Sequence, residues 1–281
     1  MGQNVIRTLI MGDQVSLTLA DTTEIVRRAQ QVHGLNRSAA EVLGKFLSAA
    51  TYMSAALKEE SGEISFALHT DGACGQINIS GNHSLHIRGY MESTEGTLEE
   101  LLGKSGSFTV IRDDGYSRPF VGSCAFPETV TVEGIVEEYY RISEQLPTFI
   151  ASVVDFDEED MVSFAGIAVL QPLPFTDEAT VAALPKGEKL QAIVREVQKS
   201  GLEETAICVF SAKKDGIKGR QATYTCNCSR AYLLQVLTSL GEEQMRTIIR
   251  EDGAVRVHCH YCNTDYTFDD RDADLIFKRK R

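Results

Sequence analysis

The chain has 281 residues, 43% of them hydrophobic and 24% charged, which is enough apolar surface for a packed core in one large domain or two smaller ones. A formal net charge of −12 works against long-range attraction to nucleic acid or an anionic lipid surface. No run approaches the roughly 18 apolar residues of a membrane span, the densest being FAGIAVL at 164–170, and the N-terminus lacks the basic and apolar regions of a secretory signal.

These exclusions make the cytoplasm the expected compartment and remove nucleic acid and membrane from the expected partners. The N-terminal myristoylation pattern is also missing, since Ile6 stands where Ser or Thr is needed. Seven cysteines in a chain without a secretory signal argue for thiols held by metal, by burial or by redox chemistry rather than for a disulfide framework. The sequons at Asn36, Asn78, Asn82 and Asn227 then carry no expectation of glycosylation, and the basic tail KRKR at 278–281 reads as a solvated end.

Along the chain, NVIRTLIM and VSLTLA alternate around GDQ and predict an opening hairpin. DTTEIVRRAQQVHG predicts an amphipathic helix, with Asp21 or Thr22 at its start, Ile25, Val26 and Ala29 on its apolar face and Gly34 at its end. The Ala-rich NRSAAEVLGKFLSAATYMSAALKEE is apolar around much of its circumference, so it is expected to be a central helix buried on more than one face.

From Ile64 to Phe126 short alternating segments separated by Gly, Asp and Asn predict a mostly antiparallel sheet. A helix is expected over 132–147, then two strands, TFIASVVDF and MVSFAGIAVL, before QPLPF, where Pro172 and Pro174 mark a boundary. The fold class is thus α+β, with an N-terminal core over 1–175. Residues 176–224 hold one fair helix, with Leu190, Ile193, Val194 and Val197 on a stripe, in an otherwise weak pattern; they are expected to be a linker folded only by docking on a neighbour.

Residues 225–281 are expected to be a small metal-binding domain. Cys226 and Cys228, two apart in extended chain, face the same way, and CHYC at 259–262 can curl around the same ion as a knuckle. Four thiolates, from Cys226, Cys228, Cys259 and Cys262, complete the closed tetrahedral shell of structural zinc, one Zn2+ per chain. Between the pairs two helices are expected, broken at Gly241 and ending at Gly253, and AVRVHC with DYTFDD supply a hairpin around the knuckle.

So small a unit has little core of its own, whereas structural zinc contributes roughly 10–16 kcal/mol of apparent binding energy, so metal loss should unfold it. Oxidation of either pair would remove two ligands. His258 and His260 could enter a mixed shell but are expected to stand beside a site filled by cysteines. Cys74, Cys124 and Cys208 are expected to be small core residues.

Other readings of the cysteine unit are a zinc-dependent nucleic-acid module and a thiol oxidoreductase. Against the first, residues 225–281 contain nine Lys plus Arg and nine Asp plus Glu, with no basic groove evident. Against the second, CHYC falls in a terminal hairpin beside a partner pair rather than at the strand-to-helix junction of a βαβ unit. GKS at 103–105 lacks the leading glycine of a phosphate loop, Leu98 holding that place, and no enzyme is expected.

The order of these features resembles the 33-kDa heat-shock protein family, the bacterial redox-regulated holdase chaperones. The resemblance spans nearly the whole chain, through DTTEIVRRAQQVHGLNRSAAEVLGKFLSAA at 21–50, IRGY at 87–90, YYRISEQLPTFIASVV at 139–154, AGIAVLQPLP at 165–174 and the CNCS and CHYC pairs. It implies an ATP-independent chaperone that is inactive when reduced and zinc-bound. It further implies that Cys226, Cys228, Cys259 and Cys262 ligate zinc and, under hypochlorite or warm peroxide, pair as Cys259 with Cys262 and Cys226 with Cys228. The linker would then unfold, and the protein, a homodimer when oxidised, would hold unfolding clients for ATP-dependent refolding chaperones. The chain departs from the family near AKKDGIKGRQ, which is less evidently helical, and at Asn227, where Asp is common.

Overall fold

A computed structural model describes residues 2–277, so the KRKR tail lies outside the described residues. The chain divides into two compact units, one up to Thr225 and one from Cys226. In chain order the first holds strands β1 (Val5–Ile10) and β2 (Val15–Asp21), helices α1 (Thr23–His33) and α2 (Arg37–Ala55), and strands β3 (Glu63–Thr70), β4 (Gln76–Asn82) and β5 (His86–Met91). There follow α3 (Leu98–Leu102), β6 (Gly106–Asp113), β7 (Phe120–Ala125), α4 (Val132–Tyr139), β8 (Phe149–Phe156) and β9 (Val162–Pro172). It closes with α5 (Glu178–Ala183), α6 (Glu188–Ser200), α7 (Leu202–Phe210), β10 (Lys218–Arg220) and β11 (Thr223–Tyr224). The second unit contains α8 (Arg230–Leu237), α9 (Glu242–Asp252), β12 (Val255–Cys259), β13 (Thr264–Phe268) and α10 (Asp270–Phe277).

Two sheets build the first unit: a five-stranded one ordered β10-β1-β2-β9-β8, antiparallel throughout, and a six-stranded one ordered β11-β5-β4-β3-β6-β7. The second is antiparallel except where β11 runs parallel to β5. Helix α2 packs against strands of both sheets. That position explains its composition: a helix enclosed on both sides needs an apolar circumference and small residues for close approach, and all but four of its nineteen residues are buried. At Gly44 a Cβ would meet Val26 Cγ1 at 2.5 Å, so only glycine lets α1 and α2 touch there. Asn36 caps α2 by accepting from Ala39 N at 2.9 Å.

The six-stranded sheet turns one face to this helical layer, and its strands alternate between buried and partly exposed residues accordingly. The five-stranded sheet does not alternate; β2 and β9 are buried almost continuously. Their second face is covered by α6 and α7. Leu190, Val194 and Val197 of α6 and Leu202 and Ala206 of α7 form one cluster with Ile6, Leu17, Leu19, Val153, Phe164 and Leu170 of the sheet. At Gly166 of β9 a Cβ would stand 3.1 Å from Val194 Cγ1, so the glycine allows the close approach of α6. FAGIAVL is therefore apolar without interruption because helices lie on both of its faces.

Residues 176–224 thus pack within the first unit through three helices and two short strands, a more regular fold than the weak sequence pattern predicts. AKKDGIKGRQ forms a 3-10 turn, Lys214–Gly216, followed by β10. The helix expected over 132–147 is shorter: α4 ends at Tyr139 and a π-helical turn over Tyr140–Glu144 follows, closed by Gln145 at a φ of 55°. Glu144 holds that turn, accepting from Tyr139 Oη at 2.7 Å and from Arg112 at 2.6 Å.

The second unit has a small core, Leu237, Met245, Ile249, Val255, Phe268 and Ala273. Arg246 fans its guanidinium to Glu242, Asp270 and Asp274, tying α9 to the start of α10. Arg230 lies 4.7 Å from the Phe268 ring centroid and pairs with Asp272 at 2.6 Å, which ties the first turn of α8 to the end of the hairpin. No helix among the described residues is long and apolar enough to cross a membrane.

Candidate metal centre

Two short backbone devices present the four cysteines. Cys226 and Cys228 lie in irregular chain after β11 rather than within a strand, and Ser229, directly after Cys228, is the N-cap of α8, accepting from Tyr232 N at 3.1 Å. Cys228 therefore sits at the positive end of a helix dipole, which favours a thiolate. Cys259 is the last residue of β12, and Cys262 lies in the turn that leads to β13. That turn is closed by Cys262 N donating to Cys259 O at 3.3 Å, with Asn263 in the left-handed region at a φ of 53°. Asparagine tolerates this conformation better than most side chains.

The two devices converge. All four sulfurs lie within 4.8 Å of one another; Cys226 Sγ is 3.6 Å from Cys259 Sγ, and Cys228 Sγ is 3.1 Å from Cys262 Sγ. Zn–S bonds of about 2.3 Å imply a tetrahedral edge of roughly 3.8 Å, so the cluster has the dimensions of a tetrahedral thiolate shell. Its donors are all soft sulfur, the set that suits zinc and disfavours calcium or magnesium. The residues present fit the ion.

Two further side chains touch the sulfurs. Tyr266 Oη is 3.4 Å from Cys228 Sγ, and Thr264 Oγ1 is 3.3 Å from Cys262 Sγ. Burial opposes ionisation of Cys228, but hydrogen bonds from Tyr266 and from the neighbouring thiols outweigh it and bring the thiol down to about 7. Burial, with further contributions from the other cysteines, pushes Cys226 and Cys262 up. The hydrogen bond to Cys228 raises Tyr266 to about 12. These two residues were not singled out from the sequence, although the alternation of β13 carries the signal: Thr264 and Tyr266 are two apart and share a face.

The histidines stand beside the cluster. His258 Nδ1 pairs with Asp265 Oδ1 at 2.8 Å across the hairpin, and its ring meets that of His260 edge to face, with centroids 5.0 Å apart. Neither belongs to the group of converging ligands.

Of the remaining cysteines, Cys74 and Cys124 are buried, and burial raises each to about 11. Cys208 contradicts the expectation of a core residue: it is exposed on α7, with its thiol 3.0 Å from Glu204 Oε1. In AICVF the apolar neighbours suggest a buried strand, but helical periodicity turns Leu202 and Ala206 inward and Cys208 outward.

Comparison with known proteins places these observations in a family. The family described as Hsp33 protein matches residues 3–269. A 33 kDa chaperonin of Acetivibrio thermocellus is 30% identical over 99% of this chain and 98% of its own length. One from Bacillus mycoides is 29% identical over 99% and 100% of the respective chains. The crystal structure of the 33 kDa chaperonin (heat shock protein 33 homolog) from Thermotoga maritima superposes with a TM-score of 0.81, at 22% identity, covering 100% of this chain and 99% of that one, and so shares the fold.

Proposed function

The chain belongs to the Hsp33 family of chaperones, and from that premise we propose that it is an ATP-independent holdase, inactive when reduced, which oxidation of its four clustered cysteines switches on. The observation that carries this reading is the covering of the five-stranded sheet by α6 and α7. Their removal would expose a continuous apolar face that includes Leu17, Leu19, Phe164 and Leu170, the kind of large patch that binds unfolded polypeptide. Within the covering layer α5 buries no residue, and α6 buries Leu190, Val194 and Val197.

Cys226, Cys228, Cys259 and Cys262 are the residues that would hold zinc in the reduced protein. Bound there, the ion supplies a crosslink between the coil before α8 and the β12–β13 turn, in a unit whose own core is small. Oxidation by a peroxide or hypochlorite would join Cys259 to Cys262 and Cys226 to Cys228. Each pair gives up two electrons and the oxidant is reduced to water or chloride. Disulfide sulfurs are no longer thiolates, so the donor set is lost and residues 226–281 lose their crosslink. Release of residues 176–224 and exposure of the sheet then follow, with clients held for ATP-dependent refolding chaperones and the oxidised protein a homodimer in the cytoplasm.

The test is a three-way time course after addition of warm peroxide: thiol loss, zinc release and hydrogen exchange in 176–224. The reading predicts that exchange in α6 and α7 rises together with zinc release. Full thiol oxidation with α6 and α7 still protected would refute it.

A further inference from the structure

A cavity of about 660 Å³ opens in the first unit at the β1–β10 edge of the five-stranded sheet. Its lining includes Arg7 of β1, Lys218 and Arg220 of β10, and Lys213 ahead of β10, with Asp13 the one carboxylate. This is a concentrated positive patch on a chain of net charge −12.

The strand register accentuates it. Arg7 stands directly opposite Lys218, and Val5 opposite Arg220, so Arg7, Lys218 and Arg220 share one face of the sheet. Like charges placed opposite each other destabilise an antiparallel pair, and β10, three residues long, has few ladder hydrogen bonds to offset the repulsion. A local rule broken this way marks a place where something other than the sheet selects the residues.

The guanidinium groups are also held in position. Arg7 donates to Ala55 O at 2.9 Å, at the end of α2, and Arg220 donates to His83 O in the turn after β4. Arg7 Nε is buried without a hydrogen-bond partner. Asp13 lies 3.9 Å from Lys213, at the limit of an ion pair.

The geometry points to an anion-binding site in this cavity, built for a polyvalent oxyanion of the phosphate class that bridges Arg7 of β1 to Lys218 and Arg220 of β10. Planar guanidinium forks suit phosphate oxygens, and charge-assisted hydrogen bonds are the stronger kind. Leu9 and Leu57 line the same cavity and leave room for an apolar or aromatic group on the phosphate. Because the site joins β10 to β1, the anion binds the docked form of the segment and stabilises it by mass action. That consequence for activation rests on the proposed switch; the binding itself does not.

The test is titration calorimetry of the full-length, reduced, zinc-loaded protein at near-physiological salt, with pyrophosphate, ADP and adenosine as separate probes. Saturable binding of pyrophosphate is expected, weakened about tenfold by Lys218→Gln or Lys213→Gln and unchanged by Lys189→Gln on the exposed side of α6. The first two side chains are exposed, so their variants should fold. Tighter binding of ADP than of pyrophosphate would identify a nucleotide as the source, and equal affinities a free phosphate; both support the site. Amide exchange at 218–220 should slow when pyrophosphate is present. No saturable heat, binding of adenosine as tight as that of ADP, or equal heats in wild type and K218Q, as metal chelation would give, would overturn it. No oxidant or client enters the measurement, so its failure leaves the holdase reading untouched.

Discussion

Cys228 Sγ lies 3.1 Å from Cys262 Sγ although 34 positions separate them in sequence. Each comes from a different backbone device, the approach to α8 and the β12–β13 turn, so the cluster closes the second unit on itself. A crosslink at that point ties the start of the unit to its hairpin, in a fold whose fully buried core among the described residues is small.

Reduced protein purified gently should therefore contain one zinc per chain. A strong chelator should remove the helical signal of α8, α9 and α10 while the first unit keeps its cooperative unfolding transition, because zinc supplies most of the stability of so small a unit. Metal analysis and far-ultraviolet circular dichroism check both. Retention of the helical signal of α8, α9 and α10 after complete metal removal would contradict the assignment.

Serine at both Cys259 and Cys262 should abolish the regulated response, since half of the donor set and one thiol pair are gone. The expected protein has metal affinity reduced by orders of magnitude and the same client-holding activity before and after oxidant. A variant that peroxide still switched on like wild type would sink the sensor assignment.

Leu190→Ala should loosen the covering helices. Leu190 is fully buried between α6 and the sheet, and such truncations cost about 2–5 kcal/mol. In a segment held by few such residues, limited proteolysis of 176–224 should set in at lower temperature and activation should need less oxidant. Unchanged cleavage would show that α6 is anchored elsewhere.

Glu137 offers a test of the core by pH. Burial, opposed by a hydrogen bond from Ile150 N at 2.7 Å, holds its carboxyl above the ordinary value of 4.5. A raised folded-state value means that its contribution to stability is fully present below 4.5 and is lost as the pH rises through the folded value. Glu137→Gln keeps an acceptor for Ile150 without the charge. It should be more stable than wild type at neutral pH, with the advantage vanishing in acid, as read from denaturant midpoints.

Much of this architecture is legible in the residues. The opening hairpin, the two-faced helix α2, the alternating six-stranded sheet and the two cysteine pairs each follow from a local period or spacing. What the chain conceals is tertiary. The regularity of 176–224 depends on a sheet face supplied by β2 and β9, so its own pattern understates it. Cys208 sits among apolar neighbours that a strand would bury and a helix divides between inside and outside. Tyr266 and Thr264 meet the sulfurs only because β13 returns alongside β12.

The central claim is tested most directly by light scattering from an unrelated, heat-unfolded client without ATP, comparing the reduced, zinc-loaded protein with the same protein after warm peroxide. The account predicts suppression of aggregation by the oxidised form alone. Suppression by both forms, or by neither, would contradict a holdase gated by the four cysteines.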